Sequence, residues 1–155
     1  MFIFSFFCLV SSKCVANNVL YKGSGLGSYY YDAIGKTCNN EAPYAENNGY
    51  TLCETFLGKP NVLSSYNNNY LVAIDANIIK DREKYCGKKV VVKYNGVLVD
   101  KPFVAWDGCA ACANGTRLDF SMSALLAIEP NACQLGIVPG ISWEVIDSQV
   151  MEWRY

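Results

Sequence analysis

The sequence predicts a small, mainly β domain that is tied together by disulfide bonds. Short segments rich in valine and aromatic residues alternate with turn signals, only two segments favour short helices, and several cysteines are spread along the chain. A length of 155 residues favours a single domain. Taken alone, this pattern fits either a barrel or a sandwich.

The N-terminus is typical of a secretory leader. Phe2–Val10 is an apolar run interrupted only by Ser5, and small residues precede a cleavage point before Asn17. An anchor helix or a buried strand is the alternative, but the run is short of the roughly 20 apolar residues that span a bilayer. We therefore expect residues 1–16 to be a signal peptide, the mature protein to be secreted, and no membrane attachment after cleavage.

The cysteine content agrees with secretion. Of the eight cysteines in the chain, Cys8 and Cys14 fall in the leader. The others form an even-numbered set that predicts up to three disulfides, although spacing alone leaves their connectivity open. This set consists of Cys38, Cys53, Cys86, Cys109, Cys112 and Cys133.

Five segments of the mature chain are expected to be strands. The first is Ser28–Asp32, which contains three consecutive tyrosines, and residues 17–27 before it are expected to be a loose lead-in. Asn95-Gly96 predicts a two-residue hairpin turn because both positions accept a positive φ. The remaining strand segments are Tyr70–Ile74, Lys89–Tyr94, Val97–Trp106 and Ile141–Ile146.

Two short helices are predicted from capping residues. Asp75 can cap a helix over Ala76–Tyr85, and Ser121 can cap one that continues to Ile128. Residues 33–69 between the first strands are rich in turn formers and contain two of the cysteines.

Charge and composition exclude several function classes. The 13 Lys+Arg residues and 14 Asp+Glu residues nearly balance, and no basic stripe is present, so nucleic acid is not an expected partner. The chain has no histidine, which excludes imidazole bases and histidine-held metals. We expect no metal and no cofactor.

Several motifs, in this order, resemble one known family. Tyr70-Leu-Val-Ala-Ile is followed by Cys86-Gly-Lys, then Val104-Ala-Trp-Asp-Gly-Cys109, Leu118-Asp-Phe-Ser121 and Ile141-Ser-Trp-Glu-Val. The order is similar to that of rare lipoprotein A domains, expansins, barwin and kiwellin-type proteins, a bacterial papain inhibitor and one group of inverting endoglucanases. The resemblance implies a six-stranded double-psi β-barrel with one or two short helices over residues 28–147, followed by a tail at 148–155.

The carboxylates are the candidate chemical groups. Alternation in Leu118-Asp119-Phe120 points the acid away from its apolar neighbours. The crossing central segments of the double-psi barrel that the resemblance implies would bring Asp107 to the same groove. In the related endoglucanases the Asp119 position is the general acid and the Asp32 position the base, a pair that inverting hydrolysis requires. The alternative is structural: Asp107 and Asp119 accept loop amides, and Asp32 caps a turn.

The chain departs from the family in ways that disfavour cleavage. Expansins and the glycosidases usually carry a histidine before the acid, and the lytic rare lipoprotein A enzymes depend on one. Expansins have a threonine where Tyr29 stands here. They also carry a second, sugar-binding domain, which we do not expect within these residues.

Aromatic side chains are the candidate groove lining. Tyr29 and Tyr31 point to one side of a strand and Tyr30 to the other, and Trp106 precedes Asp107. Such faces could stack on sugar rings, anchor a protein, or simply fill the core. Trp143 is expected in the core.

The remaining signals concern covalent chemistry. Cys109-Ala-Ala-Cys112 could indicate redox or zinc chemistry, but the setting favours structural disulfides. The resemblance implies that Cys86 joins an upstream cysteine such as Cys38, and that Cys109 reaches back. Asn114-Gly-Thr is a candidate N-glycosylation site.

Three functions follow from these observations. The first is a secreted, monomeric barrel that binds cell-wall polysaccharide in an expansin-like groove without hydrolysis. The second is an inhibitor of a secreted cysteine protease, or an effector, that acts through loops within Asn39–Asn69. The third is an inverting endoglucanase that uses Asp32 and Asp119.

Overall fold

The protein is a closed six-stranded barrel. The structure, a computed structural model, describes residues 18–36, 38, 49–54 and 61–153, so the predicted signal peptide lies outside the described residues. The strands close in the order β1-β5-β2-β4-β3-β6. They are β1 Val19–Tyr31, β2 Leu71–Asp75, β3 Lys88–Tyr94, β4 Val97–Cys109, β5 Arg117–Ser121 and β6 Val138–Gln149.

Two of the strand pairs are parallel. β1 pairs with β5 and β2 with β4 in parallel, whereas the other neighbouring pairs run antiparallel. Because parallel neighbours need long connections, segments from distant parts of the chain meet side by side. The prediction of a mainly β domain is confirmed, and the closed order selects the barrel over the sandwich.

Short helices fill the connections. α1 is Ala76–Ile79, α2 is Arg82–Tyr85, α3 is Met122–Ile128 and α4 is Ala132–Leu135, and Leu63–Tyr66 and Ala110–Gly115 are 3₁₀ segments. The predicted helix over residues 76–85 is thus split into two single turns, and α4 was not predicted. Within the described ranges, no helix has the length and apolar character needed to cross a membrane.

The local signals in the sequence account for several boundaries. The Ser121 hydroxyl accepts from the Ala124 amide at the start of α3, and Asp75 accepts from the Asn77 amide at the start of α1. Asn95 and Gly96 have φ values of 48° and 82° and join β3 to β4. The predicted caps and hairpin turn are confirmed.

The expectation of a loose lead-in at residues 17–27 is wrong, because β1 begins at Val19. Its first nine residues pair with β6, from Val19 opposite Ile146 to Gly27 opposite Val138. A Cβ at Gly23 would fall 2.3 Å from Trp143, so the glycines that suggested flexibility instead permit close packing. The barrel consequently spans residues 19–149, beyond the predicted bounds of 28–147 at both ends.

The barrel interior is filled by aliphatic and aromatic side chains. Phe103 and Phe120 meet edge to face with ring centroids 5.4 Å apart, and Trp143 is buried as predicted. Leu118 and Phe120 are fully buried while Asp119 between them is not, which confirms the predicted alternation.

Three disulfides tie connections to the barrel. They join Cys38 to Cys133, Cys53 to Cys86 and Cys109 to Cys112. Cys86 does join an upstream cysteine, but its partner is Cys53 rather than Cys38. The expectation that Cys109 reaches back along the chain is wrong, because its partner lies three residues ahead.

Candidate functional site

Two aspartates share one row across neighbouring strands. On β2, Ala73 is the register partner of Asp107 on β4 and of Asp119 on β5. Ser28 on β1 extends this row as the partner of Asp119. Adjacent strands lie about 4.8 Å apart, so the Cα atoms of the two aspartates are roughly 10 Å apart with the small Ala73 between them.

This row forms the floor of an open groove of about 470 Å³, here called the aspartate groove. Its lining is Tyr30, Gly49, Tyr50, Ala73, Asp107, Asp119 and the segment 108–111. Tyr50 is 58% exposed, so it offers an accessible aromatic surface beside the carboxylates.

Asp119 is a carboxylate whose ionisation is opposed by its surroundings. Burial raises its pKa, while a hydrogen bond from the Ser28 hydroxyl and the charge of Arg117 act in the opposite direction. The net shift is upward, so Asp119 retains a proton to higher pH than an ordinary aspartate.

Asp107 combines a structural role with its place in the groove. Its Oδ1 accepts from the amides of Leu52 and Gly108, both at 2.8 Å. Burial nevertheless raises its pKa, and the charge of Asp119 adds to that shift. Asp107 therefore anchors the segment that carries Tyr50 to β4 while facing Asp119.

Tyr30, rather than its two neighbours, is the strand tyrosine of the groove. Its pKa is raised well above its ordinary value, first by burial and then by the charge of Asp107. Its hydroxyl is buried without a well-formed hydrogen bond to any described residue. The run of three tyrosines predicted the alternation but gave no sign of which face would turn inward.

The structure places the other predicted aromatic residues away from the groove lining. Tyr31 is fully buried, and its hydroxyl donates to the carbonyls of Leu71 and Asn68. Tyr29 is half-buried and packs against the core, while Trp106 is 1% exposed and meets Tyr66 edge to face. Tyr31 and Trp106 fill the barrel interior and Tyr29 packs against it, so none of the three lines the groove as predicted.

Asp32 is also not brought to the groove. It is fully buried, and its carboxylate accepts from the amides of Ser123 at 2.7 Å and of Ile34 and Lys36 at 3.0 Å. It thus joins the end of β1 to the first turn of α3. This position does not suit the predicted general base, which needs contact with an attacking water.

We expect Asp32→Asn to destabilise the fold by about 1–3 kcal/mol, because the new amide nitrogen cannot accept from a backbone N–H. Urea unfolding at neutral pH measures this loss. Asp100→Asn, at an exposed position, is the matched control and should cost little. A variant that unfolds like the wild type would contradict the structural role of Asp32.

A metal site beside Asp119 is not supported. The Cys109 and Cys112 sulfurs and an Asp119 oxygen lie within 4.8 Å of one another. The two cysteines form a disulfide, which leaves no thiolate to bind a cation. The structure therefore agrees with the structural interpretation of this Cys-Ala-Ala-Cys element.

Asn114 lies at the surface. It is exposed, has a φ of 59°, and its amide donates to Asp75 at 2.9 Å. Glycosylation of Asn114 stays a prediction.

The comparisons with known proteins identify the fold. No protein-family model and no curated protein matches the chain. Among solved structures, a mutant expansin from Clavibacter michiganensis in complex with cellohexaose is similar, with a TM-score of 0.51 and 20% identity over 83% of this chain. The apo form of that expansin gives a TM-score of 0.50 and 21% identity over the same share. The chain spans about half of that protein, 52% of its length. The strand order and these neighbours confirm the predicted double-psi β-barrel.

Proposed function

We propose that this protein is secreted and binds an extracellular polysaccharide chain in the aspartate groove without cutting it. The observation that carries the proposal is the placement of an exposed Tyr50 beside Asp107 and Asp119 in one open groove. Support also comes from the similar expansin, which was solved with cellohexaose bound.

The chemistry of the groove suits a sugar chain. A tyrosine ring can pack on the apolar face of a sugar ring, and carboxylate oxygens can accept hydrogen bonds from its hydroxyls. The backbone of Gly108 and the small side chains of Ala110 and Ala111 leave the groove open alongside these groups. An extended, hydroxyl-rich ligand would therefore find both stacking and polar contacts.

The carboxylates support binding over hydrolysis. Asp119, with its raised pKa, has the property of a general acid. An inverting reaction also requires a base that activates water. Asp32 is enclosed by backbone amides, and Asp107 already accepts from two amides through Oδ1.

Secretion is supported by the covalent structure. Three disulfides are typical of proteins that fold in an oxidising compartment. The leader-like residues 1–16 agree with this address.

Binding of the oxidised protein to insoluble cellulose, chitin and peptidoglycan tests the proposal. We expect retention on at least one of these solids, and we expect Tyr50→Ala to weaken it roughly five- to tenfold because it removes the exposed ring. Leu98→Ala is the matched control, since Leu98 is 59% exposed but does not line the groove. Failure to bind any solid, together with dose-dependent inhibition of a papain-type protease, would favour the inhibitor alternative.

Asp119→Asn should change stability and polysaccharide binding in opposite directions. The pKa of Asp119 is higher in the folded protein than the ordinary value of 3.8 that it has in the unfolded chain. As the pH rises above 3.8, ionisation therefore favours the unfolded chain and lowers the free energy of unfolding. The variant should therefore melt at a higher temperature than the wild type at pH 7. This gain should disappear below pH 3.8, where the aspartate is protonated in both the folded and unfolded states.

The same variant should bind polysaccharide more weakly, whereas Asp100→Asn should change neither property. Thermal melts from pH 3 to pH 8 and the retention assay measure both effects. A variant that is less stable at pH 7 yet binds normally would contradict the assignment of Asp119 to the binding site.

A further inference from the structure

A second hollow lies on the outer face of the barrel and shares no lining residue with the aspartate groove. Its volume is about 510 Å³. We call it the lysine trough. The residues that matter for its chemistry are Lys22, Ser24, Lys93, Thr116, Ser142 and Glu144.

Strand register brings five of these residues, all except Thr116, onto one face. Lys22 and Ser24 on β1 are partners of Glu144 and Ser142 on β6, and Lys93 on β3 is also a partner of Ser142. Residues two apart on a strand share a face, so the side chains form two neighbouring rows across three strands. From standard strand spacings the Cα atoms of the two lysines lie about 12 Å apart at diagonal corners of the trough.

The charges of Lys22 and Lys93 are not neutralised by ion pairs with described residues of the protein. Across residues 18–36, 38, 49–54 and 61–153, neither Lys22 nor Lys93 forms an ion pair. Lys88, in contrast, pairs with Asp147 at 2.7 Å. With Glu144 as its acid, the trough carries an excess of one positive charge.

Trp143 lies beneath the trough, with its side chain in the barrel core. Trp143 lines the trough, is 2% exposed, and its indole nitrogen has no hydrogen-bond partner among the described residues. Its Cε2 atom, which carries that nitrogen, lies 2.7 Å from where a Cβ on Gly23 would stand. Gly23 therefore lets the indole pack directly against the β1 backbone, and the polar groups that face the trough are those of the outward-facing residues.

The lining favours a sugar over a protein surface. Protein interfaces are anchored by large apolar side chains, and none of the exposed large hydrophobic residues of the described chain lines the trough. Hydroxyls of Ser24, Ser142 and Thr116 can instead contact ring hydroxyls. A neutral sugar would leave both ammonium groups without a counter-charge.

We propose that the lysine trough binds an acidic saccharide, with Lys22 and Lys93 contacting its carboxylate groups. The inference does not rest on the aspartate groove, because the two sites share no residue. The protein would then hold an acidic glycan on one surface and a polysaccharide chain on another.

Titration of the oxidised protein with trigalacturonate, followed by amide NMR shifts, tests the proposal. We expect shifts at Ser24, Thr116 and Ser142, and no comparable shifts with the methyl ester of the same oligomer, which lacks the charges. Equal affinity for the ester would overturn the proposal. Raising the salt concentration should weaken binding, since exposed charges are screened within about 10 Å at 0.1 M.

Two kinds of charge variant, which should change the affinity in opposite directions, test the assignment. Lys22→Gln/Lys93→Gln should weaken binding roughly fivefold, since each exposed ion pair contributes about 0.5 kcal/mol. Glu144→Gln should strengthen it about twofold, a gain that misfolding cannot produce. Lys80→Gln/Lys101→Gln, at two exposed positions, has the same net charge change and should bind like the wild type. Equal binding by the two double variants, or no gain with Glu144→Gln, would overturn the assignment.

Asp119→Asn distinguishes the two sites. It should leave trigalacturonate binding unchanged while it weakens retention on insoluble polysaccharide. Loss of both activities in this variant would overturn the independence of the trough.

Discussion

Removing the Cys38–Cys133 disulfide should lower the free energy of unfolding by roughly 4–5 kcal/mol. The two cysteines are 95 residues apart, and a cross-link that closes so long a loop greatly restricts the unfolded chain. Small domains are typically stable by only about 5–15 kcal/mol, so this is a large share of the total. Urea unfolding of Cys38→Ala/Cys133→Ala under oxidising conditions measures the loss.

The Cys109–Cys112 disulfide is the matched control. Its cysteines are three residues apart, so Cys109→Ala/Cys112→Ala should cost only about 2 kcal/mol on the same basis. If the two double variants lost equal stability, the long loop would not be the source of the effect.

Trp106→Ala should destabilise the protein by roughly 3–5 kcal/mol, the usual cost of removing a large buried aromatic side chain. Trp106 is 1% exposed, and its ring centroid lies 5.5 Å from that of Tyr66. The loss arises from the cavity in the core, and urea unfolding measures it.

Trp106→Phe distinguishes packing from ligand contact. It keeps an aromatic ring in the core, so it should lose less stability and still bind polysaccharide like the wild type. A Trp106→Phe variant that folds as stably as the wild type but no longer binds would show that Trp106 contacts the ligand.

Much of the fold was predictable because local chemistry determines it. The positive φ values at Asn95 and Gly96 and the caps at Asp75 and Ser121 each depend on a few neighbouring residues. The start of β1 was not predictable in this way. Its glycines are crowded by groups that lie far along the chain, Trp143 at Gly23 and the Thr116 carbonyl at Gly25, and a glycine-rich segment otherwise indicates flexibility.

The site was only partly predictable, for the same reason. Alternation around Asp119 identifies a carboxylate that points away from the core. Its register partner Ala73 is also the partner of Asp107, which places the two aspartates in one row. In contrast, three successive tyrosines give no local signal of which one faces the groove. Tyr50, the exposed ring of the groove, belongs to a turn-rich segment whose position depends on the amide of Leu52 binding Asp107.

The most direct test of the central claim counts reducing ends. The oxidised protein is incubated with the insoluble polysaccharide that retains it best, between pH 4 and pH 8, and bound protein and released ends are measured in the same samples. Binding through the aspartate groove without cleavage predicts retained protein and no ends above the blank at any pH. Release of ends that Asp119→Asn abolishes would contradict this account and would make the protein a hydrolase.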